Sequence, residues 1–348
     1  MILLEESDLY AIIYYLKMRN IVSSLKKIWV QESIKQVFQW HIKKYLGHLN
    51  IPICTFQSKQ ELLMSEIIST EIKLLSIWSE DIVDARNFAM SFKRHVIFIN
   101  THMNFCAGIL LPYTKPFCYY KIGFISEDET NAKYVKYKAD KSYIYYNLFY
   151  NGMWKKPVKN MYYMHNNFFL ANATSEDFEK CLNSATQGFK VWNAMPVSNR
   201  MYVLHHLVST LEAQGESLLA NVVSKWLKLP YYCINQLTRH ETDQFEVTKI
   251  RESRGVIILE EKEKMTMFRE LTQSLITGNS VIVICNPDVC TLTHYCDMFS
   301  TAMIPPGAIN LLSSNVIVDI KYNNLADLKP EEVYAHLTLN KHIVICLK

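Results

Sequence analysis

Arg251-Glu-Ser-Arg-Gly-Val-Ile-Ile258 is followed by Gly278-Asn-Ser-Val-Ile-Val283 and then by Ile304-Pro-Pro-Gly-Ala-Ile-Asn-Leu311. Each run brings a short apolar, β-branched segment, which predicts strands over Gly255 to Leu259, Ser280 to Ile284 and Ala308 to Leu312. Between them, Met265 to Ile276 and Leu292 to Ala302 carry helical spacing. A β-α-β-α-β order predicts a parallel sheet covered by helices. Glu331 to Leu347 repeats the pattern, a helix and then the apolar run Ile343-Val-Ile-Cys346.

Upstream the signals are helical. Thr174-Ser-Glu-Asp177 reads as a capping box, and Phe178, Cys181, Leu182, Ala185, Phe189 and Trp192 then form one apolar stripe. Pro196 interrupts it, Met201, Leu204, Val208 and Leu211 form the next, and Leu218, Leu219, Val222, Val223 and Trp226 a third, which ends before Pro230. Tyr143 to Tyr163 alternates aromatic residues around Asn151-Gly152, the pair that favours a tight hairpin turn. Pro112 to Lys141 is poor in glycine and mixed in charge, and reads as a linker.

The first hundred residues contain a mostly helical stretch, Leu9 to Leu49, a short strand candidate, Ile51 to Phe56, and a helix with Asp81, Ala85, Phe88, Ala89 and Phe92 on one side. The run Val96-Ile-Phe-Ile99 is apolar throughout, as a strand buried on both faces requires.

With 348 residues and 49% hydrophobic content, the chain is long enough for two domains with substantial cores. Its 37 basic and 33 acidic residues are interspersed, which argues against a nucleic-acid-binding face. No apolar run approaches the roughly 18 residues of a membrane span, so no membrane association is expected. Nine scattered cysteines with no C-x-x-C pair, and Glu5, Glu6 and Asp8 following Met1-Ile-Leu-Leu4, predict a reduced, cytoplasmic protein without a secretory leader.

Taken with their order and spacing, the three strand motifs, Gly188-Phe-Lys-Val-Trp192 and Asn199-Arg-Met-Tyr-Val-Leu204 resemble the beginning of an aldehyde dehydrogenase. Trp29-Val-Gln-Glu-Ser-Ile34 resembles the segment just after that family's nucleophile loop. Ile77-Trp-Ser-Glu-Asp-Ile82 and Val96-Ile-Phe-Ile-Asn-Thr101 resemble the late helix and strand near its end. The tail-like block thus precedes the head-like one. That order is similar to tandem aldehyde dehydrogenases of family 16, with residues 1–138 as the remnant of a first unit and 139–348 as the cofactor-domain-like start of a second. The resemblance implies an α/β fold: an incomplete aldehyde dehydrogenase-like fold with a parallel Rossmann-like sheet, helices on both faces and an aromatic β-hairpin. It also implies that the tail segment packs against the head segment.

Aldehyde oxidation in this family needs a thiolate, a general base, an oxyanion-holding amide and a phosphate-binding face. The nucleophile loop belongs between Asp8-Leu9 and Val30, where Arg19 to Lys27 contains no cysteine, and Cys54 lies beyond it on a predicted strand. Glu260-Glu-Lys-Glu-Lys264 stands where the family places its oxyanion asparagine, and the general-base region between Leu49 and Ile51 is deleted. No catalytic residue is therefore expected. The position of the ribose-binding lysine falls on Ile284, with Cys285 and Pro287 after it. Leu312-Ser-Ser-Asn315, including Ser314, replaces the glycine-containing phosphate turn.

Other candidates have structural readings. Cys285, Cys290 and Cys296 fit no common zinc spacing and read as core cysteines. His205 and His206, adjacent on a helix, point about 100° apart and cannot easily share a metal ion. His95 and His102 bracket a buried strand and read as strand-end residues. The leading expectation is a non-catalytic scaffold or interaction protein, a pseudoenzyme without cofactor. Its protein partner or second copy would meet the Tyr143–Tyr163 region, although packing within the chain also accounts for those aromatics. The alternative is an NAD- or NADP-dependent aldehyde oxidoreductase whose missing segments come from the true product or a partner subunit.

Overall fold

The computed structural model describes residues 1–19, 25–47, 52–64, 74–92, 95–106, 109, 121–123, 134–136, 144–165, 168–231, 238–242, 244–285, 289–313, 317–319 and 328–347. From the amino terminus these run β1 (Ile2–Leu3), α1 (Leu9–Arg19), β2 (Ile28–Gln31), α2 (Lys35–Leu46), β3 (Ile53–Phe56), α3 (Lys59–Met64), β4 (Leu74–Trp78), α4 (Ile82–Ser91) and β5 (Val96–Ile99). Seven short strands follow: β6 (Lys121–Gly123), β7 (Tyr134–Lys136), β8 (Ile144–Tyr146), β9 (Leu148–Tyr150), β10 (Met153–Lys155), β11 (Met161–His165) and β12 (Phe168–Ala171). Next come α5 (Ser175–Ala194), α6 (Val197–Ala213), α7 (Ser217–Trp226), β13 (Thr238–Glu241), β14 (Phe245–Ser253), β15 (Val256–Glu260), α8 (Lys264–Ile276) and β16 (Ser280–Cys285). The chain finishes with α9 (Cys296–Thr301), β17 (Ile309–Ser313), β18 (Ile317–Asp319), α10 (Pro330–Leu337) and β19 (Thr338–Cys346).

The fold is mixed α/β, with parallel strands at the centre of its two main sheets. It divides into two compact units, each assembled from separated segments. Unit 1 comprises Met1–Lys115, Asn235–Glu252 and Leu339–Lys348, and unit 2 comprises Pro116–Ile234 and Ser253–Thr338.

Unit 1 is built on an eight-stranded sheet in the order β13-β14-β19-β5-β4-β1-β2-β3. The pairings from β19 through β3 are parallel, and β13 and β14 form an antiparallel pair at one edge. Adjacent residues of a strand face opposite sides, so each central strand feeds two cores. Ile2 packs with Ile77, Ile97, Ile343 and the α4 residues Ala85, Phe88 and Ala89, whereas Leu3 packs with Ile28, Val30, Trp78 and Ile12, Leu16 and Phe38 of α1 and α2. Asp81 caps α4 by accepting from the Asp84 amide at 2.9 Å.

Several expectations are corrected here. Ile28–Gln31 is a strand rather than part of a long helix, because it pairs on both sides, Trp29 with Ile2 and Trp29 with Cys54. Ile77 and Trp78 close strand β4 instead of opening a helix; the helix starts only at Ile82. The Met1-Ile-Leu-Leu4 segment supplies an inner strand of the sheet. The described parts of the Pro112–Lys141 stretch are paired strands, β6 with β18 and β7 with β11, so they are not linker.

In unit 2, β15, β16 and β17 are parallel, and the β9–β10 hairpin extends the sheet through Phe149 opposite Leu311. Asn151 and Gly152, with φ of 55° and 68°, make its turn, in the left-handed region that this residue pair tolerates. One face of the sheet, with Ile258, Ile282 and Leu312, meets Cys181 and Ala185 of α5. The other, with Leu259, Val283 and Leu311, meets α6, α7 and α8 through Leu207, Val223 and Leu271. The Thr174–Asp177 capping box starts α5. The aromatic region divides between two sheets: β9 and β10 join this one, while β8 and β11 belong to a four-stranded sheet in the order β7-β11-β12-β8. Packing within the chain absorbs much of its aromatic surface, Tyr145 stacking on Phe169 and Tyr162 lying edge-on to Tyr145.

Candidate functional site

In an open parallel sheet, ligands bind outside the carboxyl ends of the strands, where helix N-termini offer free amides. In unit 2 that edge is formed by Glu260 at the end of β15 and Glu261 after it, Cys285 at the end of β16, and Leu312 and Ser313 at the end of β17.

The helix amides of this edge are already engaged by carboxylates of the chain. Glu263 caps α8, its carboxylate accepting from the Met265 and Thr266 amides at 2.9 and 2.8 Å. The Thr266 hydroxyl adds the largest contribution to a carboxyl held below its ordinary range, the two amides adding to it. Glu261, 1% exposed, accepts from the Leu292 amide at 2.6 Å, at the start of the 3-10 turn that leads into α9. Its own amide donates to the Ile284 carbonyl at 2.9 Å, which holds the carboxylate in place. The Ser313 hydroxyl donates to the Ala171 carbonyl at 2.6 Å, and the Ser313 carbonyl accepts from the Ala173 amide at 3.0 Å, so β12 and the residues after it cover the end of β17.

Two cations near this edge are also engaged. Lys262 pairs with the buried Glu270 at 2.8 Å. Lys264 pairs with Glu216 at 2.6 Å, and Glu216 also accepts from the Tyr295 hydroxyl at 2.7 Å. Hydrogen bonds from Lys264 and then Tyr295 lower the Glu216 carboxyl, and the same bond from Glu216 raises Lys264.

Of the positions singled out in the sequence, Ile284 and Cys285 point to opposite faces of β16. Ile284 is buried with Ile258 and Leu312. Cys285 is buried on the α8 side beside Cys290, with the sulfurs 3.7 Å apart. Pro287 and Ser314 lie outside the described residues, as do Asn20, Leu49 and Ile51. Cys54 sits in β3 opposite Trp29. Asp8 caps α1 through the Tyr10 and Ala11 amides, both at 3.0 Å. His205 is exposed and His206 partly buried, edge-on to Tyr202 at 4.6 Å. Among the described residues, no group of three His, Cys, Asp or Glu could hold a metal ion. Nor is any helix there long and apolar enough to cross a membrane.

Sequence reasoning missed two groupings. Glu261 approaches Cys285 and caps a turn 31 positions later. In unit 1, the Ser76 hydroxyl is hydrogen-bonded to His102 Nδ1, and the His102 amide donates to the Tyr15 hydroxyl at 3.1 Å. His95 stands at the opposite end of β5, so the two histidines do not meet. Ser76 is wholly buried in mid-strand, which gives a substrate no access to it.

Burial pushes His102 from its ordinary value near 6.5 down to about 4. The unfolded chain therefore takes up a proton between those values that the folded chain refuses. The stability contribution is fully present above pH 6.5 and is lost as pH falls through the window towards 4, at most about 3 kcal/mol. In urea titrations at pH 7 and pH 4.5, His102→Gln should show a smaller acid loss than the parent chain. Equal losses would remove His102 from the account.

No family model matches the chain, and no curated protein matches it. Among solved structures it is similar to a 3,6-anhydro-L-galactose dehydrogenase in complex with NAP, at 16% identity and a TM-score of 0.42, covering 49% of this chain and 43% of that one. It is similar to a salicylaldehyde dehydrogenase of Pseudomonas putida G7 complexed with salicylaldehyde, at 18% identity and a TM-score of 0.42, covering 50% and 42%. A 1-pyrroline-5-carboxylate dehydrogenase variant of Thermus thermophilus gives 15% identity and a TM-score of 0.41, covering 50% and 40%. The chain spans about two-fifths of the length of these structures. At such scores the likeness carries no argument about activity, cofactor or assembly.

Proposed function

We propose that the chain is a non-catalytic scaffold or interaction protein descended from a tandem aldehyde dehydrogenase of the family 16 type. The observation that carries this reading is the carboxylate capping of the sheet edge. Glu263 and Glu261 hold the helix amides that a dinucleotide pyrophosphate needs. A pyrophosphate placed at these amides would meet the like charge of Glu261 and Glu263, so these described residues do not fit the group.

The order of the chain supports the tandem origin. Strands from either side of residue 138 pair in one sheet, β5 with β19, as a tail segment packed against a head segment would require. The scattered cysteines accord with a cytoplasmic setting.

Titrating the purified chain with NAD and with NADP tests the reading. The melting temperature should stay constant up to millimolar cofactor. A ligand at a hundred times its dissociation constant would add about 2.7 kcal/mol, a readily measured rise. A saturable rise would overturn the reading and favour the oxidoreductase alternative.

We place the contact with a second copy or a protein partner at the aromatic region. It retains exposed apolar side chains, with Ile144 61%, Met153 50% and Met164 50% exposed. In sedimentation velocity the parent chain should associate, alone or with a captured partner, and Ile144→Glu with Met164→Glu should abolish that association. Unchanged association in the double variant would move the contact elsewhere.

A further inference from the structure

The end of β16 holds two thiols in contact. The Cys285 thiol donates to the Cys290 sulfur across 3.7 Å, and the two residues are 3% and 7% exposed. Cys290 has a φ of 37°, a conformation that non-glycine residues adopt at a cost and that surrounding structure must impose. Two neighbours hold it there. The Thr293 hydroxyl donates to the Cys290 carbonyl at 3.2 Å and lies 3.9 Å from its sulfur, and the turn from Leu292 is tied to Glu261. Cys296, by contrast, donates to the Leu292 carbonyl of its own turn.

We propose that Cys285 and Cys290 form a reversible redox couple, oxidised to an intramolecular disulfide by a hydroperoxide. Closing the bond requires the sulfurs to move from 3.7 Å to about 2.05 Å. Cys290 is the attacking sulfur. The hydrogen bond from Cys285 holds its thiol below the ordinary range, against burial and the charge of Glu261. Cys285 is the resolving thiol, held protonated by that same bond, by burial and by Glu261.

The chemistry balances with hydrogen peroxide as the oxidant. The Cys290 thiolate attacks one peroxide oxygen, an S–O bond forms, the O–O bond breaks, and the departing hydroxide takes a proton to leave as water. The Cys290 sulfenic acid is then attacked by the sulfur of Cys285, whose proton passes towards the Glu261 carboxylate. The S–S bond forms, the S–O bond breaks, and the departing hydroxide collects that proton as the second water. Two thiols are oxidised and one peroxide is reduced. Oxidation removes the hydrogen that Cys285 donates to Cys290, beside the turn whose Leu292 amide Glu261 caps.

The test uses the full chain, treated with hydrogen peroxide, quenched with N-ethylmaleimide and mapped by mass spectrometry with and without dithiothreitol. The expected product is a linked Cys285–Cys290 species, lighter by two hydrogens and restored by reductant. It should form at least about tenfold faster than any oxidation of Cys181 or Cys296, whose thiols burial pushes up. In Cys285→Ala the Cys290 sulfenic acid should persist and be captured by dimedone, whereas Cys290→Ala should leave Cys285 unmodified. Because the wild-type map is read without any substitution, a variant that fails to fold does not remove the test. A different pairing, or both thiols alkylated to the same extent as in the untreated chain, overturns the proposal.

Discussion

Gly188→Ala should unfold unit 2 or cost about 4 kcal/mol or more, although alanine is the better helix former by about 1 kcal/mol. A Cβ at Gly188 would stand 2.1 Å from the Gly307 carbonyl carbon, 2.4 Å from its oxygen and 2.5 Å from the Ala308 nitrogen. All three are backbone atoms, so no side chain can rotate away. The approach is mutual, since a Cβ at Gly307, whose φ is +82°, would lie 2.3 Å from the Ser184 carbonyl oxygen.

Nor can α5 retreat. The Ser184 hydroxyl bonds Asn310 at 2.9 Å, the Ser280 hydroxyl bonds the Ala185 carbonyl at 2.8 Å, and Asn310 Nδ2 donates to the Gly307 carbonyl at 2.7 Å. Separating helix from sheet would break the first two of these bonds and open the core around Cys181 and Ala185. Gly215→Ala is the control: its φ is +80° but a Cβ there meets nothing within 4 Å, so the loss should be only about 1–2 kcal/mol of backbone strain. Urea unfolding followed by circular dichroism measures both. A Gly188→Ala midpoint equal to the parent's would show that the close approach is not needed.

Lys341→Ala should destabilise unit 1 by about 3–5 kcal/mol. The Lys341 ammonium is 1% exposed and uses all three protons: towards the Met90 carbonyl at 2.8 Å, the Phe92 carbonyl at 2.6 Å and Glu252 at 2.7 Å. The first two acceptors lie at the carboxyl end of α4, where the helix dipole favours a cation. Removing the amine takes this partner from two carbonyls and from the partly exposed Glu252 carboxylate. Lys341→Met with Glu252→Gln separates the contributions. Recovery of most of the loss would locate it in the Glu252 charge, and no recovery would locate it in the carbonyls. Hydrogen exchange at α4 and β19 is the direct readout, and unchanged protection in Lys341→Ala would refute the expectation. The prediction also probes the chain order, because Lys341 comes from the end of the sequence and ties down a helix near its beginning.

The long regular elements of unit 2 are legible in the sequence. The three apolar runs near Gly255, Gly278 and Gly307, the capping box at Thr174 and the Asn151-Gly152 turn all stand where local signals put them. Those signals are local, and the physics behind them acts over a few residues. The motifs Gly188-Phe-Lys-Val-Trp192 and Ile304-Pro-Pro-Gly-Ala-Ile-Asn-Leu311 stand out separately in the sequence; their contact explains why both contain glycine.

The short strands of unit 1 are not legible in the same way. β1 has two residues, too few for any period, and becomes a strand only because Trp29 and Ile77 flank Ile2. β4 is buried on parts of both faces, and in β2 the less buried face carries the apolar Trp29, so polar and apolar residues do not alternate cleanly in either sequence. The candidate site shows the same division. Ile284 and Cys285 are picked out by position, but the partners that give the site its character come from elsewhere. Glu261 reaches Leu292 from another strand, and a turn with positive φ brings Cys290 to Cys285.

By itself, then, the sequence determined the α/β class, the parallel strands of unit 2 and the helices that cover them, because side-chain periodicity, caps and turn residues act through the nearest turn of chain. Only the tertiary structure decided that Met1–Lys115 shares a sheet with residues near 245 and 343, that carboxylates occupy the helix amides at the sheet edge, and that two cysteines touch. Those outcomes depend on which distant surfaces bury one another, and that free energy belongs to the pair of surfaces rather than to either segment.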